Sequence, residues 1–386
     1  MTERRTIPFG KPWISDIERQ AVAEVLRGDI LTHGPQSRAF ENEFARFIGG
    51  DIYCVSVSSC MAALHLAYWQ LGIGPGDEVI VAAQTHAATA HAVEIVGARP
   101  VFLDCEAATG NIDCAELEAL ITPRTRAIGL VHFLGIPCEM DAIMSVADRH
   151  GLRVIEDCAL ALGARYKDRH VGTFGDAGCF SFYPVKHITT GDGGMFVSRQ
   201  KDLAEKVSKA RGFGVDRSFA ERSIPGMYDV PTLGLNYRLS DINAALGRKQ
   251  LGRIGENLNR RRANFDRLKA ALRGLASLDV LDTCHTHAAS SHYCLSVVLE
   301  PGLAQQRRAI VARLNEAGVG TSLYYPQPVP RMAYYRNKYG FTVGAYPQAE
   351  RISDQSIALP VGPHLSTEDI DYIAHAFNRA VREVKS

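Results

Sequence analysis

The feature that most constrains this chain is an alternation between residues 50 and 200. Short β-branched runs at 79–83 (VIVAA), 100–103 (PVFL), 127–131 (AIGLV), 154–156 (VIE) and 179–182 (CFSF) are separated by helix-like stretches at 60–71, 87–96, 114–121 and 140–150. Strands spaced by helices pair in parallel, because each crossover needs a dozen or more residues and a helix supplies them. The pattern predicts an α/β core: a mostly parallel sheet with helices on both faces. Gly72, Gly97 and Gly151 each follow a predicted helix directly, where a left-handed residue ends the helix.

Past Arg248 the texture changes. A long basic amphipathic stretch (254–275) reads as a connecting helix. A strand at 292–299, a helix at 305–317, a Pro- and Tyr-rich loop at 324–335 and a closing helix from Thr367 follow. This predicts a second, smaller α+β domain, with a division into residues 1–250 and 251–386. Lys and Arg number 43 against 42 Asp and Glu, so the chain carries no electrostatic footprint for nucleic acid or an anionic membrane. Nine cysteines, an odd count with no CxxC pair, point to reduced, mostly buried thiols rather than disulfides or a zinc site. The N-terminus has no apolar signal region, and no later stretch approaches a membrane-spanning length. The expectation is a soluble cytoplasmic protein that works on small molecules, with no metal.

Three segments carry candidate chemistry. At SVSSCMAALHLA (56–67) a strand ends, small polar residues follow, and a helix starts near Cys60. Unpaired amides and the dipole at such a start suit a phosphate, although simple capping by Ser58 or Ser59 explains the same residues. At VIEDCALALGA (154–164), Glu156 and Asp157 end a buried strand, where open α/β sheets place ligands. A carboxylate there needs a cation such as a protonated heterocyclic nitrogen, or it serves as a loop brace. At CFSFYPVKHITTGDGGMFVS (179–198), Lys186 follows a strand and precedes a Thr/Gly-rich turn. A lysine held beside a buried pocket can form a Schiff base, whereas most turn lysines are simply solvated. Its neighbour His187 reads as a loop or core histidine, since nothing nearby completes a metal set. Together the three supply a phosphate anchor, a pyridinium partner and an aldehyde trap, the needs of pyridoxal 5′-phosphate.

The sequence resembles the DegT/StrS-type sugar aminotransferases along nearly its whole length. The landmarks are GPQSRAFENEFA (34–45), ALHLAYWQLGIGPGDEVIV (63–81), GARPVFLD (97–104), TPRTRAI (122–128), IEDCALALGA, SFYPVKHITTGDGG, LGLNYRLSDINAALGRKQL (233–251) and ALPVGPHLS (358–366). The resemblance implies the aspartate-aminotransferase-like fold type I, with a seven-stranded, mostly parallel sheet. It implies that Lys186 carries the cofactor and moves the proton, and that Asp157 partners the pyridinium nitrogen. His86 would stack on the ring in place of the family's usual aromatic residue. Ser181, the segment start at Cys60 and Met61, and Asn236 would hold the phosphate. Asn236 and Arg238 match a segment that reaches a neighbouring subunit's site, so a homodimer with shared sites is implied. Tyr324, Tyr325 and Arg331 fall on the loop that the family places at the substrate mouth.

Three features depart from, or bear on, the family pattern. Cys60–Met61 stands where a Gly-Thr pair is usual, and Leu160 where Gln is usual. Relatives that dehydrate sugars carry histidine in place of the lysine, whereas this chain keeps Lys186 beside His187. The expected activity is therefore transamination, from a donor such as L-glutamate to a nucleotide-linked keto-deoxysugar or a sugar acid. The rival readings are a sugar dehydratase of the same family and a non-catalytic regulatory binding module.

Overall fold

A computed structural model describes residues 5–32, 34–216, 224, 226–273, 275, 278–283 and 286–385. Two helices, α1 (Asp16–Arg27) and α2 (Pro35–Ile48), precede the sheet. The large sheet holds β1 (Tyr53–Val57), β2 (Glu78–Ala82), β3 (Arg99–Leu103), β4 (Thr125–Val131) and β5 (Arg153–Asp157). Short β6 (Arg165–Tyr166) and β7 (Arg169–His170) interrupt before β8 (Ala177–Ser181) and β9 (Gly194–Ser198) complete it. Its order is β1-β9-β8-β5-β4-β2-β3. All pairings are parallel except those that β9 makes with β1 and β8. The crossovers include α3 (Cys60–Gln70), α4 (Ala87–Ile95) and α5 (Met140–His150), and α6 (Lys201–Ala210) follows β9.

Period-two alternation divides the strand side chains between two cores. Val79, Val81, Ala127, Ile155 and Cys179 pack with α3 and α6, while Ile80, Ile128, Leu130, Val154 and Phe180 pack with α2 and α5. Helix α3 is apolar almost all round and accordingly lies buried against the sheet. The three predicted C′ glycines adopt positive φ: +79° at Gly72, +82° at Gly97 and +62° at Gly151. The predicted helix at 114–121 is instead a set of turns with one 3₁₀ turn at Glu118–Leu120. Only Leu117 of that stretch is buried, so it lacks the apolar stripe that docks a helix, and Pro123 follows closely.

Helices α7 (Asp241–Leu251) and α8 (Ile254–Leu272) continue the chain. The α7 residue Asp241 braces the start of α2, accepting from the Ser37 hydroxyl at 2.6 Å and the Gly34 amide at 3.2 Å. Strands β10 (Leu278–Val280), β12 (Leu295–Leu299) and β13 (Ser356–Leu359) form an antiparallel three-stranded sheet. Between the first two, β11 (Ala288–Ala289) pairs back with β6. Around the small sheet lie α9 (Pro301–Ala304), α10 (Arg307–Glu316), α12 (Pro347–Gln355) and α13 (Thr367–Lys385), whereas α11 (Ala333–Tyr339) packs on α4 and β3. The predicted strand at 292–299 begins only at Leu295, because His292 has φ +49° and leaves the extended region. The eight cysteines among the described residues are all free, and Cys284 lies outside the described residues. No helix among the described residues is long and apolar enough to cross a membrane.

Candidate active site

The adjacent carboxylates at the end of β5 separate by strand geometry. Glu156 follows Val154 to one face, and Asp157 follows Ile155 to the other. Glu156 is fully buried and saturated. It accepts from His132 Nε2 at 3.0 Å and from the amides of Gly172, Phe174 and Gly175 at 2.6, 2.7 and 2.8 Å. Burial works against its charge, yet these donors hold the carboxyl below its ordinary range. Glu156 is thus the brace of the loop leading into β8.

Asp157 faces α3 and α4 instead, at 3% exposure. It accepts from the Thr89 hydroxyl at 2.7 Å and the Ala159 amide at 3.0 Å, with the Cys60 thiol 3.8 Å away. Thr85 and Thr89, one helical turn apart, share a hydroxyl contact of 2.9 Å behind it. These neutral donors orient the carboxylate without cancelling its charge.

Asp157 opens into a cavity of about 410 Å³. Lys186 projects into it from the turn after β8. Burial pushes the ammonium below its ordinary value, and the Asp157 charge opposes that shift. Ser181 ends β8 on the same face as Cys179 and lines the cavity, as do Ser59, Cys60 and Met61 at the start of α3. The Ser59 hydroxyl caps α3 by accepting from the Ala62 amide at 3.1 Å. Capping leaves the first amides of α3 beside the cavity, so the two readings of this segment are compatible. His86 caps α4 through Nδ1, which accepts from the Ala88 amide at 3.1 Å and so carries no proton. Its ring also lines the cavity, edge-on to Tyr325 at 5.4 Å. Tyr324 and Tyr325 also line the cavity, and Leu160 presents an apolar wall to it.

Other expected residues lie elsewhere. Arg331 forms a fork with Asp354, one arm at 2.8 Å, and does not line this cavity, because the 3₁₀ turn Val329–Arg331 aims it at α12. Asn236 is exposed, and Arg238 stacks over Phe213 at 5.0 Å; neither lines the chain's own cavity. His187 is buried, with Nε2 at 3.0 Å from the Ser291 carbonyl, as a core histidine would be. Sequence reasoning missed Thr89, and also Tyr293, which lines the cavity with its ring centroid 5.3 Å from Lys186 Nζ. Thr89 left a trace in its i,i+4 spacing from Thr85, whereas nothing in the sequence ties Tyr293 to Lys186.

The donor set fits pyridoxal phosphate. A buried strand-end carboxylate, an amine of lowered pKa, an imidazole and a helix start with an added hydroxyl surround one cavity of suitable size. The profile of the DegT/DnrJ/EryC1/StrS aminotransferases matches residues 12–378. The chain belongs to that family. It is accordingly a pyridoxal-phosphate-dependent aminotransferase of fold type I. Among relatives, the spore coat polysaccharide biosynthesis protein SpsC of Bacillus subtilis (strain 168) is 37% identical over 391 residues, covering 99% of both chains. The PLP form of Spr1654 from Streptococcus pneumoniae superposes with a TM-score of 0.92 at 30% identity, over 98% of this chain and 100% of that one. Helicobacter pylori PseC, an aminotransferase involved in the biosynthesis of pseudoaminic acid, gives 0.91 at 26% identity, with the same coverage. Lys186, Cys60, Met61 and Leu160 share one cavity.

Proposed function

We propose that this aminotransferase moves an amino group from L-glutamate to a keto-sugar, a nucleotide-linked keto-deoxysugar or a sugar acid, in polysaccharide or amino-sugar biosynthesis. The observation that carries the reading is the convergence of Lys186, Asp157, His86 and the start of α3 on one cavity. Similarity to SpsC and PseC supports a sugar acceptor. We further propose a cytoplasmic homodimer, with residues 1–250 binding the cofactor and 251–386 forming the smaller domain.

When bound, pyridoxal phosphate supplies an aldehyde that takes up amines and a ring that withdraws electrons from the adjoining carbon. The chain's residues do the rest. Asp157 would hold a proton on the ring nitrogen, and Thr89 keeps the carboxylate oriented by its hydroxyl. Lys186 Nζ, its proton affinity lowered by burial, would take up the proton from the amine-bearing substrate carbon and hold it for return. The α3 amides, Ser59 and Ser181 would hold the phosphate, and His86 would lie against the ring. Asn236 and Arg238 serve the partner's cavity.

The test is an absorption spectrum of the protein with pyridoxal phosphate, before and after excess L-glutamate. The reading expects a visible band that glutamate bleaches, and no such band in Lys186→Ala. A band indifferent to glutamate overturns the donor; no band in the wild-type chain overturns the assignment of Lys186.

A further inference from the structure

We propose that Tyr293 is a positioning residue for Lys186, its ring face steering the free ammonium toward the cavity. The inference rests on Lys186 being the reacting amine. Lys186 Nζ lies 5.3 Å from the centroid of the Tyr293 ring, within the range of a cation–π contact. Tyr293 is buried and held at both ends. Its hydroxyl meets that of Tyr324 at 2.9 Å, and the two rings stand edge to face at 5.4 Å. The Tyr324 carbonyl in turn accepts from Gln84 at 2.8 Å. At the backbone end, Arg261 Nη1 donates to the Tyr293 carbonyl at 2.9 Å. Arg261 Nε also donates to Asn257 at 2.9 Å, and Asn257 donates to the His187 carbonyl at 2.6 Å.

Asn257 and Arg261 sit one turn apart on α8. A single helix face therefore fixes both the backbone beside Lys186 and the backbone of the ring that faces it. The other groups facing the amine are Asp157 from β5, Cys60 from α3, Cys294 beside Tyr293, and His86 from the α4 start. His187 adjoins it in the chain, Arg261 lies beyond the ring at 5.9 Å from its centroid, and Tyr324 and Tyr325 face the same cavity. A favourable ring face raises the amine's proton affinity and narrows its range of positions.

The test follows the rate at which acetic anhydride acylates Lys186 in the full-length, cofactor-free chain as a function of pH, read on the Lys186 peptide by mass spectrometry. Tyr293→Phe keeps the ring and should titrate as wild type. Tyr293→Leu should lower the midpoint by about half to one pH unit, the size expected of a partly desolvated cation–π contact. Tyr293→Met keeps most of the buried volume and gives the same reading if the Leu variant is recovered poorly. A midpoint unchanged or raised in both ring-less variants overturns the proposal, as does an equal shift in Tyr293→Phe. Failure of the underlying reading shows separately, as a visible cofactor band that persists in Lys186→Ala.

Discussion

At the scale of single residues, the site works through the partners of its charges. Thr89 is the clearest case, because its hydroxyl is the shortest donor to Asp157. Thr89→Val should weaken cofactor binding by roughly 10- to 150-fold, the worth of one hydrogen bond to a charged group, and Thr89→Ser should restore it. Titration of the visible band measures this directly. His170 carries a pH dependence of stability. Its Nε2 accepts from the Gly163 amide at 2.8 Å, Nδ1 meets the Val171 carbonyl at 2.6 Å, and burial pushes its pKa from 6.5 down to about 4. Between those values the unfolded chain binds the extra proton, so stability is complete above pH 6.5 and falls as pH drops toward 4. The full loss from this group is about 3 kcal/mol. Urea unfolding between neutral and mildly acid pH should show a shallower decline in His170→Gln than in the wild type.

At the scale of elements, the cofactor end of the sheet depends on how closely α3 can begin beside β9. Gly194 lies opposite Val57 on one side and Ser181 on the other. A Cβ there would come within 2.5 Å of the Ser59 carbonyl carbon and 2.6 Å of the Cys60 amide nitrogen. Gly194→Ala must push the helix start away from the strand. The expected result is at least tenfold weaker binding of pyridoxal phosphate, from displaced phosphate donors; equilibrium titration checks it. The paired carboxylates of β5 show the same dependence on element geometry. They are adjacent in sequence, and strand alternation sends Glu156 to one face as a brace and Asp157 to the other as a cavity residue.

At the scale of the whole molecule, the proposed shared site predicts complementation. Lys186→Ala and Arg238→Ala chains should each be inactive, yet unfolding and refolding them together should restore activity. Each mixed dimer would own one intact site, so an equal mixture should recover about a quarter of wild-type activity. Recovery of none would place Arg238 in its own chain's site or in no site. The exposed apolar side chains of Ile17 and Leu26 on α1 and of Ile30 just after it give that helix an apolar surface for a second copy to cover.

The sequence alone determined that the large sheet is mostly parallel and covered by helices, because parallel pairing forces helix-length crossovers that are visible as a change of period. It also brought out Asp157 at a strand end and Lys186 on a turn, which are local events marked by local residues, whereas His86 came only from the resemblance to the family. The predicted helix at 114–121 failed because a short segment becomes helical only where packing rewards an apolar stripe. Arg331 and Tyr293 lay beyond local reasoning for a related cause. Which way a side chain turns out of a loop is decided by what packs against it, and their partners Asp354 and Lys186 come from distant elements. Only the tertiary structure could turn Arg331 away from the cavity and bring Tyr293 to the lysine.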